Sequence, residues 1–393
     1  MSLFTPLKLG SITIQNRIGM SALTRNRSTE TVPNEIMQKY YVQRAVGGAG
    51  LIVSEGTLIT RQGSEWAQAP GIWDKSQVIG WKKIIDAVHE AGSKMYCQVN
   101  LTTTCIFNEE VDWGLSQLWH LGRLSHPQAP EQIAAGVPVY GPSAISARGG
   151  KFRFLPGAPG YVTPTAIDDP TVIIDQFKQA AINAKEAGFD GVELHGANGY
   201  IVHQFLDSTS NKRTDEWGGS VENRARFALE TLKAMVEVWG PDVSLKISPA
   251  GGYNDMGMPL QETIDTYGYL LQEAEKLGLS YVTFVRYSAG QDPVIDGMHR
   301  ATKHDVVATF SPFLKNTHIF VNSGVTPAEA EELVSSGTAA GVFFGVNIIT
   351  HPDLVKRIKA GKPLDNVPDV HQFYGALGVD PALGYVDYKE AVY

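Results

Sequence analysis

Asp190-Gly191-Val192-Glu193-Leu194-His195-Gly196-Ala197-Asn198-Gly199-Tyr200 is the stretch whose reading decides the fold. A short apolar run ends at a histidine, with an asparagine three positions later and a tyrosine two beyond that. That is the pattern of a buried strand delivering polar groups into a cleft. The segment ahead predicts a helix, with Asp169 as N-cap and Pro170 at its first position. Ile173, Phe177, Ala180, Ala181 and Ala184 share a face, and Gly188 is the stop. A helix, a two-residue gap and a strand make one αβ unit.

The same grammar extends in both directions. Residues 4–18 alternate about Gly10-Ser11 and predict a hairpin that caps one end of the fold. Apolar runs at 18–24, 49–56 and 94–98 predict strands, with a helix over 33–46 and another carrying Trp81, Ile84, Ile85 and Val88, closed by Gly92. Downstream, strands are expected at 244–249, 281–285, 318–322 and 341–345. Phe227, Ala228, Leu232, Met235, Val236 and Trp239 mark an amphipathic helix, and Thr326-Pro327-Ala328-Glu329 reads as a capping box. Eight strands alternating with helices predict an α/β fold, a closed (β/α)8 TIM barrel with an N-terminal β-hairpin cap and long βα loops, as one domain over 1–393. Residues 126–160 read as such a loop with a possible hairpin.

Composition narrows the function. With 33 Lys and Arg against 41 Asp and Glu, the net charge is −8 and no long run of either sign occurs. This argues against a nucleic-acid or anionic-membrane surface. No stretch approaches the roughly 18 apolar residues of a membrane helix, so a soluble, cytoplasmic protein is expected, as a monomer or homodimer. Cys97 and Cys105 are too few for a disulfide scaffold and are read as reduced thiols.

A barrel presents its chemistry at the carboxyl ends of its strands, where Thr24, Gly56, Gln98, His195, Lys246, Ser323-Gly324 and Gly345 fall. His195 and Asn198 are placed to meet one carbonyl oxygen, although such a pair also serves as a strand-end cap. Tyr200 is a phenol able to protonate a carbon, or a packing residue. Lys246 ends an apolar strand, where an ammonium needs an anion, a carbonyl dipole or a structural salt bridge. The glycines after the last two strands, with the helix opening at Thr326, suit a phosphate, or are ordinary turns. No G-x-G-x-x-G follows a strand, so a Rossmann-bound dinucleotide is not expected. No strand-end His/Asp/Glu cluster offers metal ligands.

Taken together these residues resemble the old yellow enzyme family of flavin-dependent ene-reductases over nearly the whole chain. The likeness rests on SALTRNR at 21–27, the yeast-type HGANGY at 195–200, QFLDSTSNKRTDEWGGSVENRARF at 204–227, LKISP at 245–249, ITHPDLVKRIKAGKPL at 349–364, and FYG near the end. The resemblance implies FMN at the strand ends and reduction of the C=C bond of α,β-unsaturated carbonyl compounds by NADPH. Thr24 would then hydrogen-bond the flavin near N5 and O4, Gln98 its pyrimidine edge and Lys246 its N1 and O2, with Ala22, Gly56 and Phe373 also contacting the cofactor. His195 and Asn198 would hold the substrate oxygen while Tyr200 protonates the α carbon. NADPH and enone would use one cavity in turn, which accounts for the missing dinucleotide motif. A catalytically silent flavin- or ligand-binding relative is the other reading.

Two departures stand out. The family usually has Gly-Arg after the last strand, where this chain has Gly345-Val346-Asn347. Phosphate binding would then rest on Ser323, Gly324 and the Gly345 and Val346 amides, with weaker flavin retention. The family's third strand also runs CQ-LWHLGR unbroken, whereas nineteen residues, Val99 to Gln117, here separate Gln98 from Leu118-Trp119-His120-Leu121-Gly122-Arg123. Valine codons begin GT, a glutamine codon can be CAG, and nineteen codons keep the frame, so the segment reads as a translated intron or as an active-site loop. Gln117 competes with Gln98 as the flavin-contacting glutamine.

Overall fold

A computed structural model describes residues 1–64, 66–99, 120–149, 160–375 and 378–393. Cys105, Gln117, Trp119 and nearly all of the Val99–Gln117 segment therefore lie outside the described residues.

Ten strands carry the architecture. β1 (Leu7–Leu9) and β2 (Ile12–Ile14) form the antiparallel hairpin. β3 (Ile18–Met20), β4 (Leu51–Val53), β5 (Lys94–Val99), β6 (Gly191–Gly196), β7 (Val243–Ile247), β8 (Tyr281–Val285), β9 (His318–Asn322) and β10 (Gly341–Phe344) pair in parallel, each with its successor, and β10 closes on β3. The expected barrel is present. β6, β7, β8 and β10 are buried at every position, as strands covered on both faces must be.

The hairpin plugs the amino-terminal end. Leu7, Leu9 and Ile14 pack with Tyr96, Tyr281, Phe320 and Phe343 in one apolar cluster. The rings of Tyr281 and Phe320 lie 4.9 Å apart, and those of Phe320 and Phe343 5.0 Å, within the range of favourable aromatic pairs. Small residues make room for them. A Cβ on Gly19 would sit 2.3 Å from the Phe343 ring and one on Gly191 2.4 Å from Tyr96. Ser11 anchors the hairpin through its amide (2.7 Å) and hydroxyl (2.6 Å) on Asp242.

The helix before β6 spans Thr171–Ala187 and ends at left-handed Gly188. It begins one residue later than expected: Pro170 holds the N-cap position, while Asp169 Oδ1 accepts from the Thr171 amide at 2.9 Å. A side chain just outside the first turn still satisfies an otherwise unpaired N–H. The expected capping box at Thr326 is half made. Thr326 Oγ1 accepts from the Glu329 amide at 3.2 Å, but the Glu329 carboxylate is taken by Arg286, because a guanidinium outcompetes a backbone N–H for a carboxylate. Within 126–160 the described part includes a short helix, Pro130–Ala135, that turn residues alone did not disclose. No helix among the described residues is long and apolar enough to cross a membrane.

Candidate active site

Side chains alternate along a strand, so Glu193 and His195 of β6, like Ser244 and Lys246 of β7, share a face. The register sets His195 opposite Lys246, and Gln98 opposite Glu193. These residues form a buried polar layer above the aromatic plug. The Gln98 amide donates to Glu193 Oε1, and Thr283 Oγ1 donates to Oε2 at 3.1 Å. Burial raises the Glu193 carboxyl above its ordinary value, against the pull of Lys246. Lys246 reaches across the bore: β7 and β3 stand half a turn apart in the barrel order, and Nζ lies 3.3 Å from Ser21 Oγ, next to Ala22.

Burial is the largest influence on Lys246, pulling its ammonium down to about 8 from 10.5 while Glu193 pushes back. Because the folded value lies below the unfolded one, the ammonium costs stability at every pH below about 8. The cost fades as pH rises from 8 towards 10.5. Lys246→Met is therefore expected to abolish a rise in stability that the flavin-free parent shows between about pH 8 and 10.5. Denaturant melts of parent and variant at a series of pH values read this directly, and a variant that keeps the parent's rise would contradict it.

Past the end of β6 the chain turns sharply. Asn198 has φ 57° and Gly199 φ 80°, left-handed values that asparagine and glycine tolerate best. The turn is held from several sides. The Asn198 amide donates to Ser248 Oγ at 2.8 Å, Asn254 Nδ2 to the Asn198 carbonyl at 2.8 Å, and the Gly199 amide to His203 Nδ1 at 3.1 Å. A Cβ on Gly199 would lie 2.7 Å from the Asn254 Cβ. Tyr200 then caps the helix Ile201–Leu206, its ring 5.6 Å from that of His195.

His195 is fully buried, and neither ring nitrogen has a partner among the described residues. Burial, reinforced by Lys246 and His203, holds its pKa well below the ordinary histidine value. The ring is neutral, with one N–H to donate and one lone pair. An unmet buried donor costs about 1–3 kcal/mol, so this imidazole suits a ligand oxygen.

Thr24, Ala22 and Gly56 are buried just beyond β3 and β4. Around them the SALTRNR segment ties down the carboxyl-terminal part of the chain. Arg25 Nε donates to the Phe373 carbonyl at 2.8 Å and Nη2 to Gly384 at 2.5 Å. Arg27 Nη1 donates to Phe373 at 3.2 Å, and its Nη2 to Gln372 and Leu383. Glu55 in turn accepts the Arg25 and Asn26 amides at 3.0 and 3.2 Å. Phe373 is thereby held beside the segment that follows β3. Ser323 (φ 81°) and Gly324 (φ 66°) leave β9 beside Gly345, which follows β10 ahead of half-buried Val346.

The barrel thus brings His195, Asn198, Tyr200 and Lys246 to one end and sets Ser323, Gly324 and Gly345 on neighbouring strands at that end. The donor set fits a flavin: Lys246 is a cation for its polar edge, and the Ser323-Gly324 turn leaves room for a phosphate. Gln98 is turned onto Glu193. Sequence reasoning passed over Glu193, although its two-residue spacing from His195 on one strand signals a shared face. It also passed over Ser21, Glu55 and Arg286. Among the described residues no group of His, Cys, Asp and Glu side chains could hold a metal ion.

A model of the NADH:flavin oxidoreductase / NADH oxidase family matches residues 2–365. The chain is 36% identical over 403 residues to 12-oxophytodienoate reductase 7 of Oryza sativa subsp. japonica, covering 98% of this chain and 94% of the relative. It is 33% identical over 398 residues to the probable inactive reductase easA of Epichloe festucae var. lolii, with the same 98% and 94% coverage. The solved structure of morphinone reductase matches with a TM-score of 0.83 at 35% identity, covering 99% of this chain and 96% of that one.

Proposed function

This chain belongs to the NADH:flavin oxidoreductase / NADH oxidase family, the old yellow enzyme family, and we propose that it uses FMN and NADPH to reduce the C=C bond of α,β-unsaturated carbonyl compounds. The observation that carries this reading is the neutral, fully buried His195 with two partnerless ring nitrogens, set beside Asn198 and in register with Lys246. Bound FMN would supply the redox chemistry, accepting a hydride from NADPH and passing it to the β carbon of the substrate.

The chain's own groups do the rest. His195 and Asn198 hold the carbonyl oxygen and stabilise the charge that gathers there as the alkene is attacked. Tyr200 gives its phenolic proton to the α carbon, so hydride and proton together saturate the bond. Lys246 offsets negative charge on the pyrimidine edge of the cofactor. Ala22, Thr24, Gly56, Gln98 and Phe373 surround the ring, while Ser323, Gly324, Gly345 and Val346 take the phosphate. One cavity serves reductant and substrate in turn. The protein is a single-domain, fungal-type, cytoplasmic enzyme in this reading.

Purified protein is expected to be yellow, to bleach anaerobically with NADPH, and to regain its colour with cyclohexenone. A colourless protein that takes up no FMN would overturn the proposal. Parallel assays with NADH and with nitroalkenes and quinones would define reductant and substrate range. Bleaching without recovery would favour a catalytically silent role, a reading favoured by the similarity to a relative named as probably inactive.

We further infer that Val99–Gln117 is intron-derived, since its removal restores CQ-LWHLGR. Transcript sequencing is expected to join the codons of Gln98 and Leu118. A message that keeps the nineteen codons makes the segment a genuine loop.

A further inference from the structure

Val346 stands where the family usually has an arginine, yet the phosphate end of the site does not lack a cation. Arg286 follows β8 directly, and its amide donates to the Asn322 carbonyl at 3.1 Å, which locks it beside the end of β9. Its side chain then folds across the neighbouring strand: Nε and Nη2 donate to the Ser323 carbonyl at 3.2 and 3.0 Å. Gly324, the next residue, faces open space, where an added Cβ would meet only Arg286 Nη2, at 3.9 Å. The guanidinium thus stands directly beside the left-handed Ser323-Gly324 turn.

From this arrangement we propose that Arg286 is the cation that holds the phosphate of FMN, moved by two strands from the family's usual position after β10. The proposal rests on the flavin reading above. Arginine suits the task because its planar fork presents five N–H groups to an oxyanion. The fork is also already in use. Nη1 and Nη2 pair with Glu329, the latter at 3.2 Å from Oε2, so a carboxylate stands where a phosphate oxygen would bind. A phosphate monoester carries a charge of about −1.5 to −2 at neutral pH, more than a carboxylate, and can displace Glu329 from the fork. Glu329 thus acts as a stand-in anion: it orders the guanidinium in the flavin-free protein and competes with the cofactor for it. Flavin retention then need not be weak despite Val346.

Full-length protein stripped of flavin and titrated with FMN and with riboflavin, which lacks the phosphate, tests this. The parent is expected to prefer FMN. Arg286→Met should raise the FMN dissociation constant roughly ten- to hundredfold and leave riboflavin unchanged, with Arg286→Lys recovering part of the loss. Glu329→Gln, which keeps the cation and removes its competitor, should tighten FMN alone. Equal FMN affinity in parent and Arg286→Met would overturn the proposal. Should Arg286→Met fail to fold, unchanged FMN affinity in Glu329→Gln overturns it instead. A parent that binds neither flavin sinks the flavin reading itself, whereas a parent that binds both equally sinks only the phosphate role of Arg286.

Discussion

His195→Leu is expected to lower kcat/KM for an enone by roughly 10²–10³, the usual consequence of removing one preorganised oxyanion donor, without loosening the fold. The two halves of this expectation have one source. Both ring nitrogens are partnerless among the described residues, so a leucine of similar bulk breaks no hydrogen bond to the rest of the protein, and no buried group is left unmet by the change. A structural strand-end cap would behave oppositely, losing stability with little specific effect on turnover. FMN binding should be unaltered, because His195 is assigned no cofactor contact. The account also fixes a pH signature. His195 is held well below its ordinary value by burial, so it is neutral throughout the neutral range. The rate of enone reduction should show no inflection near 6.5 from this residue. Melting curves, FMN titration and a pH–rate profile of parent and variant check the three parts. A variant with parental turnover would remove His195 from the chemistry.

Tyr200→Phe is expected to separate the two halves of the reaction. Bleaching by NADPH requires no proton from the phenol and should proceed as in the parent. Recovery of colour with an enone should slow by roughly 10²–10⁴, the range in which a positioned general acid contributes. The ring itself is retained, so its packing near His195 at 5.6 Å survives the change, and a purely structural tyrosine would leave both phases intact. Stopped-flow absorbance resolves the two phases. Equal slowing of both would point to a disturbed pocket rather than to a missing proton. With a nitroalkene, whose product anion is protonated by water without help, the defect should shrink.

Much of this was legible in the chain. Burial of every position at 191–196 imposes a short apolar run and burial of one face at 171–187 a period of 3.6, which is why alternating strands and helices announced themselves and closed into a barrel. His195 and Lys246 could be placed at strand ends because polar residues closing apolar runs must emerge there. What stayed hidden was long-range. Glu329 looked like the second half of a capping box, and only the fold brings Arg286 from forty-three positions away to claim it. Arg25 and Arg27 stood out only as part of the SALTRNR stretch, and the fold engages them with carbonyls of residues 372–384. Glu193 sat in an apolar run, and its role depended on Gln98, Thr283 and Lys246 arriving from three other strands. Helix ends shifted by a residue, as at Asp169, since a side-chain cap can act from just outside the first turn.

The central claim is that His195, Asn198, Tyr200 and Lys246 surround one flavin and one substrate carbonyl. A crystal structure of the FMN-loaded protein with an enone or a carbonyl inhibitor tests it most directly. The flavin's N1–O2 edge is expected within hydrogen-bond distance of Lys246 Nζ, and the ligand oxygen within hydrogen-bond distance of His195 and Asn198. Flavin bound elsewhere, or a ligand oxygen that meets neither His195 nor Asn198, would contradict the account.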